Sequence, residues 1–370
     1  MVVFAHGAAG RSDLPVSVWV LAYLAGMAVV LTRAAIRVRP VRLDPVGLTT
    51  TPTIERADAA AGVALRLLGI AVLASVIGAA WFGDLGRTST PHLAAYVVLW
   101  AALPIAVAAF GDVWRMLSPW DLSFHEPPPP LRTATHWPAT LGLLAFVWLD
   151  LCLHPADPEP IGIAAAVYAV VMVTMARRRG RAWLRTGDAF AAWCTLVGAL
   201  APMHREPDGR LRIRRPLDGL AAVETRPGTR ALLAVVVGAV VLETTARDDI
   251  PTLLACVAGA AIAMLTVRDV RVLVPVAFAW LAALQLSFVV VQGQAVLAAI
   301  SDPMGRGWDL FGTADRTVDF AIVHDHVLTA MQLALLAGGH AAGVLLDRSR
   351  RTMLALTAGA VVSSVLLLGR

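Results

Sequence analysis

The segment 301–320, SDPMGRGWDLFGTADRTVDF, concentrates residue types that could do chemistry. It carries four aspartates and three glycines beside a tryptophan and two phenylalanines. Carboxylates can bind a cation or activate a water molecule, and glycine lets the backbone approach a ligand closely. We therefore predict Asp302, Asp309 and Asp315 as candidate catalytic residues. The alternative is an ordered surface cap with an aromatic anchor.

A histidine pair follows this segment and extends the candidate site. His324 and Asp325 complete the predicted catalytic set, and His326 is the second histidine of the pair. Residues two apart on a helix point roughly 200° away from each other, so both histidines can hold one metal ion only if the helix begins after them. His6 and Asp13 could join this site from the start of the chain. The predicted metal ligands are therefore His6, Asp13, His324 and His326, with an unidentified divalent metal as the candidate cofactor.

A second group of polar residues falls inside long apolar runs, where a membrane would make them functional candidates. Its members are Asp150, Glu243, Gln285, Gln292, Gln294 and His340. Gln285 and Gln292 are seven residues apart and share a helix face, where they could line a polar path or hydrogen-bond a neighbouring helix. Asp150 and Glu243 lie near the ends of their runs, where a carboxylate can reach water.

His340 has a different sequence context from the other polar residues. It lies in GGHAAG, in which Gly339 and Gly343 form a small-xxx-small pattern typical of close helix packing. This pattern favours a buried histidine whose hydrogen bonds are satisfied within the protein.

The composition defines the elements that must position these residues. Of the 370 residues, 58% are hydrophobic and 15% are charged, and the mean hydropathy is +0.70. Soluble domains carry nearer a quarter of charged residues, so the chain is predicted to be an all-α polytopic transmembrane bundle, a single membrane domain over 1–370. The basic pI does not indicate nucleic acid, because the positive charge lies beside apolar runs.

About ten spans are predicted, since a spanning helix needs roughly twenty apolar residues. Their ranges are roughly 16–36, 61–82, 93–110, 136–154, 161–176, 231–246, 252–267, 272–300, 321–345 and 352–369.

The arginine distribution predicts the orientation of these spans. All 31 basic residues are arginine; 24 fall in alternate connections when Met1 is placed outside, six fall in the other connections, and Arg66 lies just inside the second span. Positively charged loops face the cytoplasm, so both chain ends are predicted to be extracytoplasmic. The largest cytoplasmic segment is 177–230, and its arginines are predicted to bind anionic lipid headgroups.

Residues 188–203 are apolar but too short to cross, and a further span there would invert every later connection. They are predicted to form an interfacial or re-entrant helix, with Trp183 and Trp193 as interface anchors.

Several stretches resemble a family of bacterial membrane proteins known as fenitrothion hydrolases. They are HGAAGRSDLP, GDVWRMLSPW at 111–120, FVWLD at 146–150, GDAFAAWCTLVGALAP, DGRLRIRRPLDGLA, VVVQGQ, SDPMGRGWDLFGTAD and GGHAAG with Asp347. The resemblance implies a multi-pass protein of the bacterial cytoplasmic membrane and an organophosphate-type hydrolase. Family members carry two histidines just before the QGQ segment, and Leu281 and Leu284 occupy those positions here, which puts the activity in doubt.

The sequence therefore leaves three classes of function open. The first is a membrane-embedded, metal-assisted hydrolase with an extracytoplasmic site. The second is a transporter or a protein that handles metals or small solutes, lined by Glu243, Gln285, Gln292 and His340. The third is a non-catalytic subunit that packs beside another membrane protein.

Overall fold

A computed structural model of the protein describes Gly26 and residues 59–83, 89–120, 134–153, 157–205, 211–245, 247–347 and 349–368. The predicted first span, 16–36, lies outside these residues apart from Gly26, as do His6 and Asp13.

The regular secondary structure of the described residues is helical except for one short antiparallel hairpin, which confirms the predicted all-α class. The helices are α1 (Ala59–Phe82), α2 (Thr90–Phe110), α3 (Trp114–Leu117), α4 (Trp137–Leu153), α5 (Glu159–Arg179), α6 (Arg181–Gly187), α7 (Ala189–Gly198), α8 (Thr229–Leu242), α9 (Ile250–Met264), α10 (Leu273–Ser301), α11 (Asp325–Leu346) and α12 (Arg350–Leu368). The strands are β1 (Met203–Arg205) and β2 (Leu211–Ile213), with Met203 opposite Ile213. Short 3₁₀ turns precede α8 and α10.

Five helical segments in the described ranges are long and apolar enough to cross a membrane. They are Gly62–Phe82, Thr90–Phe110, Glu159–Arg179, Val270–Ser301 and Asp325–Leu346. Four other apolar helices, α4, α7, α8 and α9, are shorter. At 1.5 Å per residue, the 14 residues of α8 extend only about 21 Å. The predicted runs within the described residues are therefore helical, and five of them have the length and composition of a full span.

Helix ends differ from the predicted spans where polar side chains stop the helix. After α8, Thr244 and Thr245 donate back to the carbonyls of Val241 and Leu242. The predicted span 321–345 begins later, at Asp325, because His324 is extended and forms the N-cap.

The molecule has two chemically different ends, the loop end and the arginine end. At the loop end, residues 302–323 follow α10, and the Thr90 hydroxyl donates to the Pro303 carbonyl at 2.7 Å. At the arginine end, defined by residues 211–230, the His136 amide donates to the Pro227 carbonyl at 2.8 Å. Helix α10 runs from the arginine end to the loop end, and most of its first half is buried.

Helix α7 lies inside the bundle rather than along its surface. Trp193 is 1% exposed and belongs to the main hydrophobic core, and Trp183 is also buried. The interfacial interpretation of 188–203 and the role of these tryptophans as interface anchors are therefore wrong. The re-entrant alternative stays a prediction, because ten residues are too few to cross.

Both ends of α7 are capped by charged side chains, which explains how a short helix can be buried. Asp188 accepts hydrogen bonds from the amides of Phe190 and Ala191 at the N-terminus. Arg214 donates to the carbonyls of Gly198 and Ala201 at the C-terminus. The signs of these charges match the helix dipole, so unpaired backbone groups of α7 are satisfied without water.

The small-residue pattern around His340 packs α11 closely against α10, as predicted. A Cβ added at Gly339 would lie 2.6 Å from the Pro275 carbonyl oxygen and closer still to the Ala279 side chain. A Cβ at Gly343 would lie 3.4 Å from the Val272 carbonyl oxygen. The missing side chains thus allow the two backbones to approach each other.

Candidate functional site

The aspartates of the loop-end segment bind their own backbone. Asp302 accepts from the amides of Arg306 at 2.9 Å and Gly307 at 2.7 Å. Asp309 accepts from the Ser301 hydroxyl at 2.8 Å and from the Ala314 amide at 3.0 Å. Both carboxylates are therefore engaged in hydrogen bonds that hold the loop. This supports the ordered-cap alternative more than a catalytic role for either residue.

Ser301 and Gln294 fix the same loop from α10. The fully buried Ser301 hydroxyl accepts from the Phe311 amide at 2.9 Å. The Gln294 side chain donates to the Asp319 carbonyl at 2.9 Å and accepts from the Asp319 amide at 3.1 Å. Gln294, a predicted membrane-depth residue, therefore anchors the loop through a paired amide contact.

The hydrogen bonds of Asp309 make the loop sensitive to acid. The Ala314 amide and the Ser301 hydroxyl hold the pKa of the Asp309 carboxyl below its usual value. Because the pKa is lowered in the folded loop, the ionised carboxylate stabilises the folded loop. This stabilisation is complete above the ordinary pKa of about 3.9 and is lost as the pH falls through the lowered pKa. We expect pepsin cleavage near Leu310 and Phe311 to accelerate only as the pH falls well below 3.9.

The comparison variants for this prediction are Asp309→Asn and Asp315→Asn. The first should open the loop at every pH tested, because it removes the charge that both donors stabilise. The second should behave as the unchanged protein, since Asp315 is exposed and lies outside the hydrogen bonds that hold the loop. Equal cleavage rates for all three proteins at every pH would contradict the assignment.

The histidines after the loop are exposed and stacked. The His324 and His326 rings have centroids 5.5 Å apart and lie within 10° of parallel. Helix α11 begins at Asp325, so His326 is already helical and the condition for both imidazoles to hold one ion, a helix that begins after them, is not met. In addition, no group of three His, Cys, Asp or Glu side chains in the described ranges could hold a metal. His6 and Asp13 fall outside those ranges, so the full ligand set stays a prediction.

Four polar residues at seven-residue spacing form a line along α10. The Trp280 indole contacts His340 at 3.4 Å, Ser287 accepts from Gln332 at 3.0 Å, Gln294 binds Asp319, and Ser301 binds Asp309. Seven residues fall about 20° short of two turns, so these side chains share one face. They extend about 31 Å along the helix.

His340 is buried and satisfied, as the sequence predicted. Its Nδ1 lies 2.8 Å from the Leu336 carbonyl, which can only accept, so Nδ1 carries the proton. Nε2 then accepts from the Trp280 indole, which can only donate. This neutral tautomer uses both ring nitrogens.

A second polar contact occupies a different side of α10. The Gln285 amide donates to both carboxylate oxygens of Glu243, at 2.9 and 3.0 Å. Gln285 is five residues after Trp280 and thus roughly 140° around the helix. Gln292 shares the Gln285 side, whereas His340 contacts the Trp280 side. The four residues predicted to line one transport path are therefore divided between two faces of α10.

Asp150 is buried among aromatic side chains near the loop end. It is 2% exposed, so the prediction that it reaches water by snorkelling is wrong. Its carboxylate acts electrostatically on the buried Tyr96 phenol, and the rings of Tyr96 and His92 are 6.0 Å apart. Asp150 and Tyr96 both lie in π-helical segments, which are rare and often mark functional sites.

Asp188 forms the most complete polar site in the described chain, and sequence reasoning missed it. Its carboxylate accepts from the Trp114 indole at 3.0 Å, the Trp120 indole at 2.8 Å and the Tyr168 hydroxyl at 2.7 Å, besides the two amides of α7. It is fully buried. The available signal was an aspartate directly before an apolar run, which is typical of an N-cap.

Several arginines at the arginine end cap helices internally. Arg230 donates to the carbonyls of Met264 and Val267 after α9, and Arg271 forms a bidentate pair with Asp269. With Arg214 on α7, these side chains are partly occupied by the protein itself. The predicted contact with anionic lipid therefore depends on the arginines that remain exposed, among them Arg177, Arg178, Arg179, Arg185 and Arg215.

Comparison of the chain with protein-family models, curated proteins and solved structures gave no match. Leu281 and Leu284, the two positions at which the resemblance implies histidines, are both buried in the main hydrophobic core. These two positions are occupied by apolar packing in this chain.

Proposed function

We propose that the protein is a multi-pass membrane protein of the transport class that moves protons or small polar solutes. The observation that carries the proposal is the Glu243–Gln285 contact, a carboxylate embedded beside the central helix of an apolar bundle. Ionisable residues at membrane depth are costly and are found on ion and proton pathways. A carboxylate can take up and release a proton, and the Gln285 amide holds this one in place through two hydrogen bonds.

Asp150 supports the same proposal from a neighbouring helix. It lies in the last turn of α4, and Glu243 lies directly after α8; both positions are at the loop end of helices that pack against each other. Asp248 and Asp249, in the connection after α8, act electrostatically on Cys152 together with Asp150. Acidic groups from two helices thus meet on one side of the bundle.

The proposed arrangement in the membrane has ten spans and both chain ends outside. The arginine distribution then makes the loop end extracytoplasmic and the arginine end cytoplasmic. Solute would enter from the loop end toward Glu243. The four-residue path predicted from sequence is replaced by Glu243, Gln285 and Asp150, because His340 is used in packing.

Proton flux into liposomes tests this function. We expect vesicles containing the protein and an internal pH-sensitive dye to acidify under an imposed gradient, and Glu243→Gln to slow the flux by about tenfold, equivalent to about 1.4 kcal/mol of barrier. The reason is that glutamine keeps the size of the side chain but cannot exchange a proton.

Glu159→Gln is the matched control, because Glu159 lies exposed at the same end in the first turn of α5. It should leave the flux unchanged. Flux equal to that of protein-free vesicles would contradict proton transport by this protein, as would equal flux in Glu243→Gln and the unchanged protein. Metal-dependent phosphotriester hydrolysis by such inactive vesicles would instead support the hydrolase prediction.

A further inference from the structure

Hydrogen bonds to its own carboxylates hold the loop at residues 302–323. Its carboxylates at Asp302 and Asp309 turn toward loop amides, and Asp319 accepts from the Ala321 amide at 2.8 Å. The loop is also fixed to the helices below it, since Arg306 donates to the Phe82 carbonyl at 2.8 Å. These polar contacts hold the backbone of the loop, and Val318 adds an apolar contact with α2 and α10.

Large apolar side chains cover the outside of this loop. Between 43% and 68% of each of these residues is exposed: Trp308, Leu310, Phe311, Phe320 and Ile322. Exposed apolar area of this kind is unfavourable in water. Single exposed apolar residues are ordinary on a protein surface, but a group of this size marks an interaction site.

The adjoining helix surfaces identify what covers the loop. Leu297 and Ile300 on α10, and Val327 and Met331 on α11, are exposed as well. Thr313 donates to the Leu297 carbonyl at 2.7 Å, which joins the loop directly to this surface. Helices α10 and α11 are long enough to span a membrane, so their exposed apolar side chains are the ones that lipid covers, and the loop continues that surface.

The length of α10 sets the depth of the loop. Its 29 residues extend about 43 Å, which matches the 40–45 Å of a bilayer with both headgroup regions. If the first turn of α10 lies at one interface, Ser301 lies at the other. Residues 302–323 then emerge at the level of the headgroups, where tryptophan and other aromatic side chains concentrate.

We propose that residues 302–323 are an interfacial anchor, with the side chains of Trp308, Leu310, Phe311, Phe320 and Ile322 inserted into the lipid at the loop end. The partner is the headgroup and upper acyl region of a phospholipid bilayer. The exposed Arg316 and the carboxylate of Asp315 remain on the water side. This anchor does not depend on the transport proposal, since it requires only the exposed apolar surface and the length of α10.

Spin labels on the loop test the anchor. A nitroxide is attached at Phe311→Cys or Phe320→Cys in protein whose Cys152, Cys194 and Cys256 are replaced by alanine, and the protein is placed in phosphatidylcholine nanodiscs. Both labels should be accessible to oxygen, which concentrates in lipid, and shielded from a water-soluble nickel chelate. The control label at Asp315→Cys should show the opposite accessibility.

Two outcomes would overturn the proposal. Nickel accessibility at Phe311 equal to that at Asp315 would place the loop in water. Shielding of Phe311 from both oxygen and nickel would place it against protein, as in contact with a second copy. If the cysteine-free protein does not fold, quenching by brominated lipids replaces the spin labels. The fluorescence of Trp308 is the difference in emission between the unchanged protein and Trp308→Phe, and brominated lipids should quench it strongly. Absence of quenching would contradict insertion.

Discussion

Replacing Asp188 by alanine is expected to lower the free energy of unfolding by about 3–5 kcal/mol, the range for breaking a buried charged network. The carboxylate is fully buried and accepts five hydrogen bonds, from Trp114, Trp120, Tyr168 and two amides of α7. Alanine leaves these donors inside the protein without an acceptor, and each buried unsatisfied donor costs about 1–3 kcal/mol. The midpoint of thermal unfolding in one detergent measures the loss.

The variant Asp188→Asn tests the two oxygens of the carboxylate separately. Oδ1 accepts from Tyr168 and both amides, whereas Oδ2 accepts from the two indoles. An asparagine can keep its oxygen at the first position, which places its amide group opposite the indoles. Because an indole can only donate, both of those bonds are lost. We expect an intermediate midpoint, and Trp120→Phe should cost much less in this background than in the unchanged protein.

Asp157→Ala is the control for these variants, since Asp157 is exposed at the loop end. Its midpoint should hardly move, because surface substitutions usually change the free energy of unfolding by no more than about 0.5 kcal/mol. Equal midpoints for Asp157→Ala and Asp188→Ala would show that the buried carboxylate does not hold the arginine end together.

Replacing Gly339 by alanine is expected to destabilise the protein by about 1–3 kcal/mol, the usual cost of overpacking. The added methyl group would overlap the Ala279 side chain and lie 2.6 Å from the Pro275 carbonyl oxygen. Both neighbours belong to α10, and one of them is backbone. Since backbone cannot turn aside as a side chain can, α10 and α11 must separate.

The preceding residue provides a matched control for this substitution. A Cβ at Gly338 meets nothing within 4 Å, although it lies on the same helix. Gly338→Ala should therefore be neutral or stabilise the helix by up to about 1 kcal/mol, because alanine has the higher helix propensity. Unfolding midpoints in the same detergent compare the two variants. A shift of the same size and sign in both would contradict the close packing of α10 and α11.

The sequence predicted the regular helices well and the buried polar contacts poorly. Predicted spans 161–176 and 272–300 agree with α5 and α10 to within three residues, since the apolar runs end at arginines or acidic residues. The GGHAAG pattern correctly indicated a packed His340. Both successes rest on signals contained within one helix.

The wrong prediction for α7 shows why the buried polar contacts could not be predicted from the sequence. Its apolar run between arginine clusters is typical of an interfacial helix, and local composition cannot reveal which groups cap its ends. Arg214 is supplied from beyond the β-hairpin, while Trp114 and Trp120 come from about seventy residues earlier. The Asp188 site therefore depends on tertiary structure, and a single sequence carries no measure of such distances.

The seven-residue spacing of polar contacts along α10 has a mechanical consequence. Trp280 and Ser287 bind α11, while Gln294 and Ser301 bind the loop that leads into it. A slip of α11 along α10 by one helical turn, about 5.4 Å, would separate both contacts with α11 and strain the loop that the other two contacts hold. Helices α10 and α11 with their loop therefore form one rigid unit, so under the proposed transport function the shorter helices α8 and α9 would move against it. The Glu243–Gln285 contact joins α10 to the end of α8.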